Sequence, residues 1–243
     1  MAAVLPASLA HISGLWRGGR ANRGIPVIST GHAKLDRHLP DRGWPLGALT
    51  ELLTETSGSG EFSLLLPSLS RISSRGQWVV LVDPPWIPYP PAMHGHGIAL
   101  ERLMLIRTKT VQESLWACEQ ALRGVRGGAL LAWQENPGFT RMRRLQLAAR
   151  AGHKASFIFR PMVAAGQPSP AALRLKLDAD VAGIRVTVLK CRGRRPCESL
   201  LLRRSQYLPG FAALPETAVA GSPPIPVPVP ALQEEPCWPN RSH

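Results

Sequence analysis

Short apolar runs alternate with helical stretches between residues 25 and 205 of this chain. The run QWVVLVDPP (77–85) ends in two prolines and is typical of a buried strand, as is GALLAWQ (128–134). The stretch TVQESLWACEQALRG (110–124) between them predicts an amphipathic helix with a Thr N-cap and a Gly end. We predict further strands at 47–53, 100–107 and 154–161, helices at 61–74 and 140–152, and a closing antiparallel pair at 172–180 and 183–195.

This alternation predicts an α/β fold whose mostly parallel central sheet is flanked by helices on both faces. Ligands of such sheets lie beyond the carboxyl ends of the strands. We therefore expect the functional edge to comprise the loops 54–60, 83–97, 134–140 and 161–170.

The alternating pattern divides the chain into three segments. Residues 1–24 form an N-terminal segment with helical potential, 25–208 the core domain, and 209–243 a Pro-rich tail that we expect to be disordered. No run approaches the ~20 apolar residues of a membrane span, and the N-terminus lacks the basic region of a secretory signal, so we expect a cytoplasmic protein. The spacing of the cysteines favours neither zinc nor a disulfide: Cys118, Cys191, Cys197 and Cys237.

The charge of the chain is strongly positive. Its formal net charge is +13, and arginine supplies most of the basic residues. Such a field attracts polyanions, and arginine binds phosphates through two parallel hydrogen bonds, so the charge favours DNA or a DNA-bound partner. A GC-rich genome, which favours arginine codons, would give the same composition without a function.

A Gly/Ser turn between the strand at 47–53 and the helix at 61–74 has the layout of a phosphate-binding loop. The working motif G-x-x-x-x-G-K-[ST] neutralises the phosphates with its lysine and holds magnesium with its hydroxyl. Here Glu61 stands in the lysine position and Phe62 in the hydroxyl position. A carboxylate in the lysine position changes an electrostatic attraction to the phosphates of about 4 kcal/mol into a repulsion of similar size. The degenerate loop comprises Gly58, Ser59, Gly60, Glu61 and Phe62.

The stretch that leads into this loop contains, in this order, Ile28, Ser29, Thr30, Gly31, Leu35, Asp36, Leu39, Gly43, Pro45, Gly47 and Glu51. This order of residues resembles the entry into the RecA recombinase core, and the similarity extends over about residues 25–205. Among RecA relatives the basic charge and the altered loop look most like the ImuA family, the RecA-like accessory proteins of bacterial mutagenic translesion DNA synthesis. Members of that family are often described as resembling the division inhibitor SulA. The resemblance implies a RecA-like P-loop NTPase fold.

The resemblance also locates the positions at which a RecA-type ATPase keeps its water-activating glutamate and its magnesium-organising aspartate. The first position follows Asp83, where this chain has two prolines, and the second falls at Trp133 or Gln134. Neither residue is a hard anionic ligand. We therefore expect no catalytic residue, no metal, no cofactor and no ATPase activity. A rearranged but genuine ATPase that uses Asp83 is the alternative.

In RecA relatives two loops contact single-stranded DNA, and the first corresponds here to residues 135–140. It leads into Arg141, Arg143 and Arg144, and Phe139 is a candidate for stacking on a base. The second loop, 161–170, carries few polar groups.

A second set of basic residues is also a candidate for binding DNA or an acidic partner: Lys190, Arg192, Arg194 and Arg195. Solvated helix and hairpin surfaces are the alternatives for both clusters. Trp86 and Tyr89 are candidate contact aromatics in a Pro-rich loop.

By resemblance, the function is that of a non-catalytic RecA-like adaptor in SOS-induced mutagenic translesion synthesis. The implied partners are an inactive Y-family-like polymerase subunit and an error-prone C-family polymerase, with RecA and single-stranded DNA as further candidates and no membrane. A SulA-like inhibitor of cell division is the rival hypothesis.

Overall fold

The computed structural model describes residues 25–55, 58, 60–124, 126–191 and 199–203. The predicted N-terminal segment 1–24 and tail 209–243 lie outside these residues. The described strands are β1 (Val27–Ile28), β2 (Trp44–Pro45), β3 (Ala48–Thr54), β4 (Val79–Val82), β5 (Leu103–Ile106), β6 (Ala129–Trp133), β7 (Ala155–Pro161), β8 (Leu173–Asp180), β9 (Gly183–Cys191) and β10 (Leu200–Arg203). The described helices are α1 (Ala33–His38), α2 (Glu61–Ser74), α3 (Pro90–Gly95), α4 (Val111–Arg123) and α5 (Phe139–Gly152).

The large sheet has eight strands in the order β10-β9-β8-β3-β7-β6-β4-β5. The strands from β8 to β5 pair in parallel, whereas β9 and β10 pair antiparallel with their neighbours. All residues of β3 and β4 are buried because both faces of the sheet are covered. The α/β class, the flanking helices and the closing antiparallel pair are therefore confirmed, and the sheet is mixed.

Alternate residues of β4 divide the core into two layers. Val79 and Leu81 pack with α2, whereas Val80 and Val82 pack with α4 and α5 on the opposite face. The end of α5 lies so close to α4 that a Cβ on Gly152 would be 2.0 Å from the Leu122 carbonyl oxygen. A glycine is therefore required where these two helices meet.

The segment 28–31, with which the family resemblance begins, has a structural role. The Asp36 carboxylate accepts hydrogen bonds from the Ser29 hydroxyl (2.7 Å) and the Thr30 N–H (2.9 Å). Gly31 has a φ of 86°, and a Cβ there would lie 2.3 Å from the Cβ of Pro67 in α2. This turn therefore holds the segment that precedes α1 against α2, the helix that follows the degenerate loop.

Several short elements of the fold differ from the sequence-based expectation. The Pro-rich loop 83–97 contains the short helix α3, which begins with Pro90 and Pro91, because proline is tolerated in the first helical turn. Residues 100–102, predicted as strand, form a 3-10 turn before β5. The small antiparallel sheet of β1 and β2 and the strand β10 were not predicted.

Candidate functional site

The carboxyl ends of four adjacent parallel strands line one pocket. Thr54 comes from the end of β3, Asp83 from the residue after β4, Trp133 from β6 and Phe159 from β7. Parallel strands end at the same edge of a sheet, so the pocket occupies the edge at which α/β proteins bind ligands. It is also the edge that the sequence analysis selected.

The degenerate loop directly follows β3, and its glutamate folds back onto the loop. Glu61 is the first residue of α2 and is only 1% exposed. Its Oε1 accepts a hydrogen bond of 2.6 Å from the backbone N–H of Gly58. Gly60, at the N-cap, has a left-handed φ of 94°, and Ser59 lies outside the described residues. A backbone donor of the kind that phosphate loops direct at a nucleotide is therefore engaged by a carboxylate of the same chain.

Four aromatic rings form a continuous row across this edge, which we call the aromatic row. Phe62 meets Trp86 edge-on at 5.2 Å, Trp86 meets Trp133 edge-on at 5.7 Å, and Trp133 stacks on Phe159 at 4.5 Å. In the sequence-based interpretation Phe62 stands in the position of the magnesium-binding hydroxyl, and the position of the aspartate falls at Trp133 or Gln134. Phe62 and Trp133 contribute to apolar packing, with ring geometries that aromatic pairs prefer. Trp86, predicted as a contact aromatic, packs within this row, whereas Tyr89 is exposed.

The polar residues beside the aromatic row also have structural partners. Asp83 has a left-handed φ of 51°, and its carboxylate accepts hydrogen bonds from the N–H and the hydroxyl of Thr108, both at 2.7 Å. The side-chain amide of Gln134 donates to the Ser114 hydroxyl at 2.6 Å, inside the protein. Asp83 therefore anchors the loop between β5 and α4, and Gln134 anchors β6 to α4.

A buried ionic network, which the sequence analysis missed, adjoins the pocket through Arg160, one of the pocket-lining residues. The Glu51 carboxylate on β3 accepts a hydrogen bond from Arg174 Nε at 2.8 Å, lies 3.6 Å from Arg160 Nη1 and also accepts from the Ser169 hydroxyl. Arg174 donates in addition to the carbonyls of Ala164, Ala165 and Gln167. Burial lowers the pKa of Arg160, against the opposing effect of Glu51. The network fastens the loop 161–170 to the central strand. Its signal in the sequence was the lone charged residue in the apolar patterns of β3 and β7.

The predicted basic residues of α5 lie on its surface, and the structure brings two of them together. Arg141 and Arg144 line a groove between α4 and α5, and Arg144 pairs with Glu119 of α4 at 2.6 Å. Arg143 and Phe139 are exposed nearby on the same helix. The groove also contains Trp116 of α4, whose side chain the sequence analysis did not select.

The other predicted basic cluster is described only at its first residue. Lys190 is on β9, on the antiparallel side of the sheet, and its ammonium donates to the Ser169 carbonyl at 2.8 Å. Arg192, Arg194 and Arg195 lie outside the described residues. The structure therefore does not join Lys190 to the groove between α4 and α5.

At the other end of the sheet, β5 is an edge strand with an apolar surface. Met104 is 43% exposed and Leu105 44% exposed, and β4 is the neighbour of β5 in the sheet.

In the described part of the chain no group of three or more His, Cys, Asp or Glu residues could hold a metal ion. No helix among those described is long and apolar enough to span a bilayer.

Comparison with known proteins gives partial matches. No family model matches the chain. Protein ImuA of Caulobacter vibrioides is 31% identical over 128 residues, which are 51% of this chain and 52% of ImuA. The cell division inhibitor SulA of Edwardsiella piscicida is 30% identical over 102 residues, covering 41% of this chain and 60% of SulA.

A second SulA, from Klebsiella aerogenes, is 26% identical over 119 residues, 49% of this chain and 70% of its own. The crystal structure of SulA from Pseudomonas aeruginosa matches with a TM-score of 0.39 and 25% identity, covering 46% of this chain and 97% of that one. The chain spans about half the length of the ImuA proteins it matches. The resemblance to ImuA and SulA is thus confirmed as a partial one: over about half its length, this chain is homologous to the ImuA and SulA proteins.

Proposed function

We propose that this chain is a non-catalytic RecA-like adaptor in SOS-induced mutagenic translesion DNA synthesis and DNA repair. The observation that carries the proposal is the contact between the Glu61 carboxylate and the Gly58 N–H in the loop after β3. In this contact a carboxylate of the loop itself takes a backbone N–H that could otherwise donate to a phosphate. The similarity to ImuA supports the biological setting.

Electrostatics and packing both disfavour ATP hydrolysis at this edge. A buried carboxylate in the loop would repel the terminal phosphates by several kcal/mol at about 4 Å. Within the aromatic row, Phe62 takes the position expected for the hydroxyl ligand and Trp133 takes one of the two positions expected for the aspartate, and apolar rings do not coordinate Mg²⁺. Asp83, the carboxylate that the alternative of a rearranged ATPase would use, already accepts two hydrogen bonds from Thr108.

The arrangement of strands supports a RecA-like core. The strand β3, which precedes the loop, is central and lies between β7 and β8, and α2 follows the loop directly. A strand, a glycine turn and a helix in this order is the layout of a phosphate loop. In this proposal the fold is retained as a scaffold for contacts with other proteins.

The surface that we assign to partner binding is the edge strand β5. An edge strand presents unpaired backbone groups to which another chain can add a strand, and charged residues usually protect it. All four residues of β5 are apolar, and its two central side chains are exposed. The partners implied by the ImuA resemblance are the two polymerase subunits, with RecA as a further candidate.

Co-purification from cells exposed to DNA damage tests the adaptor proposal. We expect the tagged chain to recover the polymerase subunits or RecA, and Met104→Lys to lose them because it places a charge on β5. Val181→Lys, at a fully exposed turn beyond β8, is the matched control and should recover the partners normally. If the wild-type chain recovers neither the polymerase subunits nor RecA, the adaptor proposal is wrong.

The second candidate function is inhibition of cell division, which the similarity to two SulA proteins favours. Overproduction of the chain in undamaged cells should then cause filamentation and leave the mutation rate unchanged. The adaptor proposal expects the opposite pattern, in which deletion lowers damage-induced mutation and overproduction leaves cell length normal. Microscopy and a mutation assay on the same strains separate the two functions.

A further inference from the structure

The groove between α4 and α5 combines an exposed indole with guanidinium groups. Trp116, in the middle of α4, is 65% exposed, although its neighbours Leu115 and Ala117 are buried. Arg141 and Arg144 of α5 line the groove together with this ring, and Gln112 adds a polar side chain on the α4 side. A large aromatic surface is therefore accessible beside two cations.

The charge of the groove is positive. The helix α5 carries four arginines and no acidic residue. Glu119 is shared between Arg144 at 2.6 Å and Arg123 at 2.8 Å, so one carboxylate faces two guanidinium groups. Within the described part of the chain, Arg141 and Arg143 form no ion pair. The groove is therefore complementary to a polyanion.

We propose that this groove binds single-stranded nucleic acid, with Trp116 stacking on a base and Arg141 and Arg144 contacting the phosphates. Single-strand sites combine a positive groove along the backbone with aromatic rings that stack on the bases. A duplex keeps its bases stacked inside, so it offers no ring face to an indole. This assignment goes beyond the adaptor proposal and moves the predicted stacking residue from Phe139, the first residue of α5, to Trp116 of α4.

A titration of the purified full chain with a labelled thymidylate oligonucleotide, followed by fluorescence anisotropy at about 50 mM salt, tests the stacking contact. We expect Trp116→Ala to weaken binding roughly tenfold, as base–aromatic stacking does elsewhere, and Trp116→Phe to retain most of it. A duplex of the same length should bind more weakly than the single strand. Trp116 is mostly exposed, so its substitution leaves the core intact, and Tyr89→Ala, an exposed aromatic on the Pro-rich loop, is the matched control.

The salt dependence of the same titration tests the phosphate contacts. Arg141→Ala should reduce the slope of log K against log salt by about 0.7, the value of one lost phosphate on a single strand. Arg71→Ala, an exposed arginine of α2 on the opposite face of the sheet, should keep the wild-type slope.

Three results would overturn the proposal. The wild-type chain could fail to bind the single strand, Trp116→Ala could bind it as tightly as the wild type, or Tyr89→Ala could lose as much affinity as Trp116→Ala. If Trp116→Ala instead loses the co-purified proteins and keeps the oligonucleotide, the groove is a protein interface. The adaptor proposal is judged separately, through Met104→Lys, so each can fail alone.

Discussion

Glu51 is fully buried in the middle of β3, and its carboxylate lies between the guanidinium groups of Arg160 and Arg174. A charge in a protein interior is stable only when its partners replace the hydrogen bonds of water. Here the partners come from β7, from β8 and from Ser169 of the intervening loop. The network therefore connects three strands and one loop through a single carboxylate.

We expect Arg174→Met to lower the free energy of unfolding by about 3–5 kcal/mol, because it leaves the carboxylate of Glu51 with less of its compensating charge. Urea denaturation measures the change. The matched control is Lys176→Met on the same strand, which removes only a partly exposed pair with Asp178 and should cost less than about 1 kcal/mol. Equal losses for the two variants would show that the buried network contributes no more than a surface pair.

Individual residues also decide how far the site could be predicted from the sequence. The prediction for Glu61 and Phe62 was possible because the spacing of a phosphate loop assigns a role to each position. The contact of Glu61 with Gly58, and the stacking of Trp133 on Phe159, depend on distances between elements that a linear pattern does not contain. Trp116 was missed for a related reason: a tryptophan in an amphipathic helix is read as a core residue unless its exposure is known.

At the scale of elements, hydrophobic periodicity predicted the long helices and the central strands well. The helix α2 has the predicted bounds 61–74, and α4 begins after Thr110, with a capping box in which Thr110 and Glu113 each bond the other's backbone N–H. The short elements were missed because two to six residues carry too little periodicity to be recognised. The helix α3 was hidden further by the prolines that begin it.

The cap of α4 gives a prediction for a whole element, since this helix presents Trp116. The Thr110 hydroxyl accepts the Glu113 N–H at 3.2 Å, and Thr110→Ala should lower the unfolding free energy by about 1 kcal/mol. Thr140→Ala, in the exposed first turn of α5, has no capping role and serves as the control. Chemical denaturation of both variants provides the comparison, and indistinguishable midpoints would rule out a contribution from the cap.

At the scale of the whole molecule, a net charge of +13 complicates any measurement of nucleotide binding. A specific ligand raises the melting temperature because it binds only the folded state, but a polyanion also binds a basic surface without specificity. The nucleotide therefore has to be compared with an anion of similar charge.

We expect MgATP to raise the melting temperature of the full chain no more than tripolyphosphate does at the same ionic strength. The physical reason is the carboxylate of Glu61, which already holds the Gly58 N–H. Thermal denaturation with each anion at millimolar concentration makes the comparison. A larger shift with MgATP, accompanied by release of phosphate, would establish a working nucleotide site and remove the basis of the adaptor proposal.

The return of Glu61 onto its own loop also bears on how such a protein would be regulated. Proteins that exchange and hydrolyse nucleotides use that cycle as a timer, which sets how long they hold a partner. A loop closed by a side chain of the same polypeptide has no timer of this kind. On the proposed function, the duration of mutagenic synthesis would then depend on how much of the protein the cell makes and how quickly it is degraded.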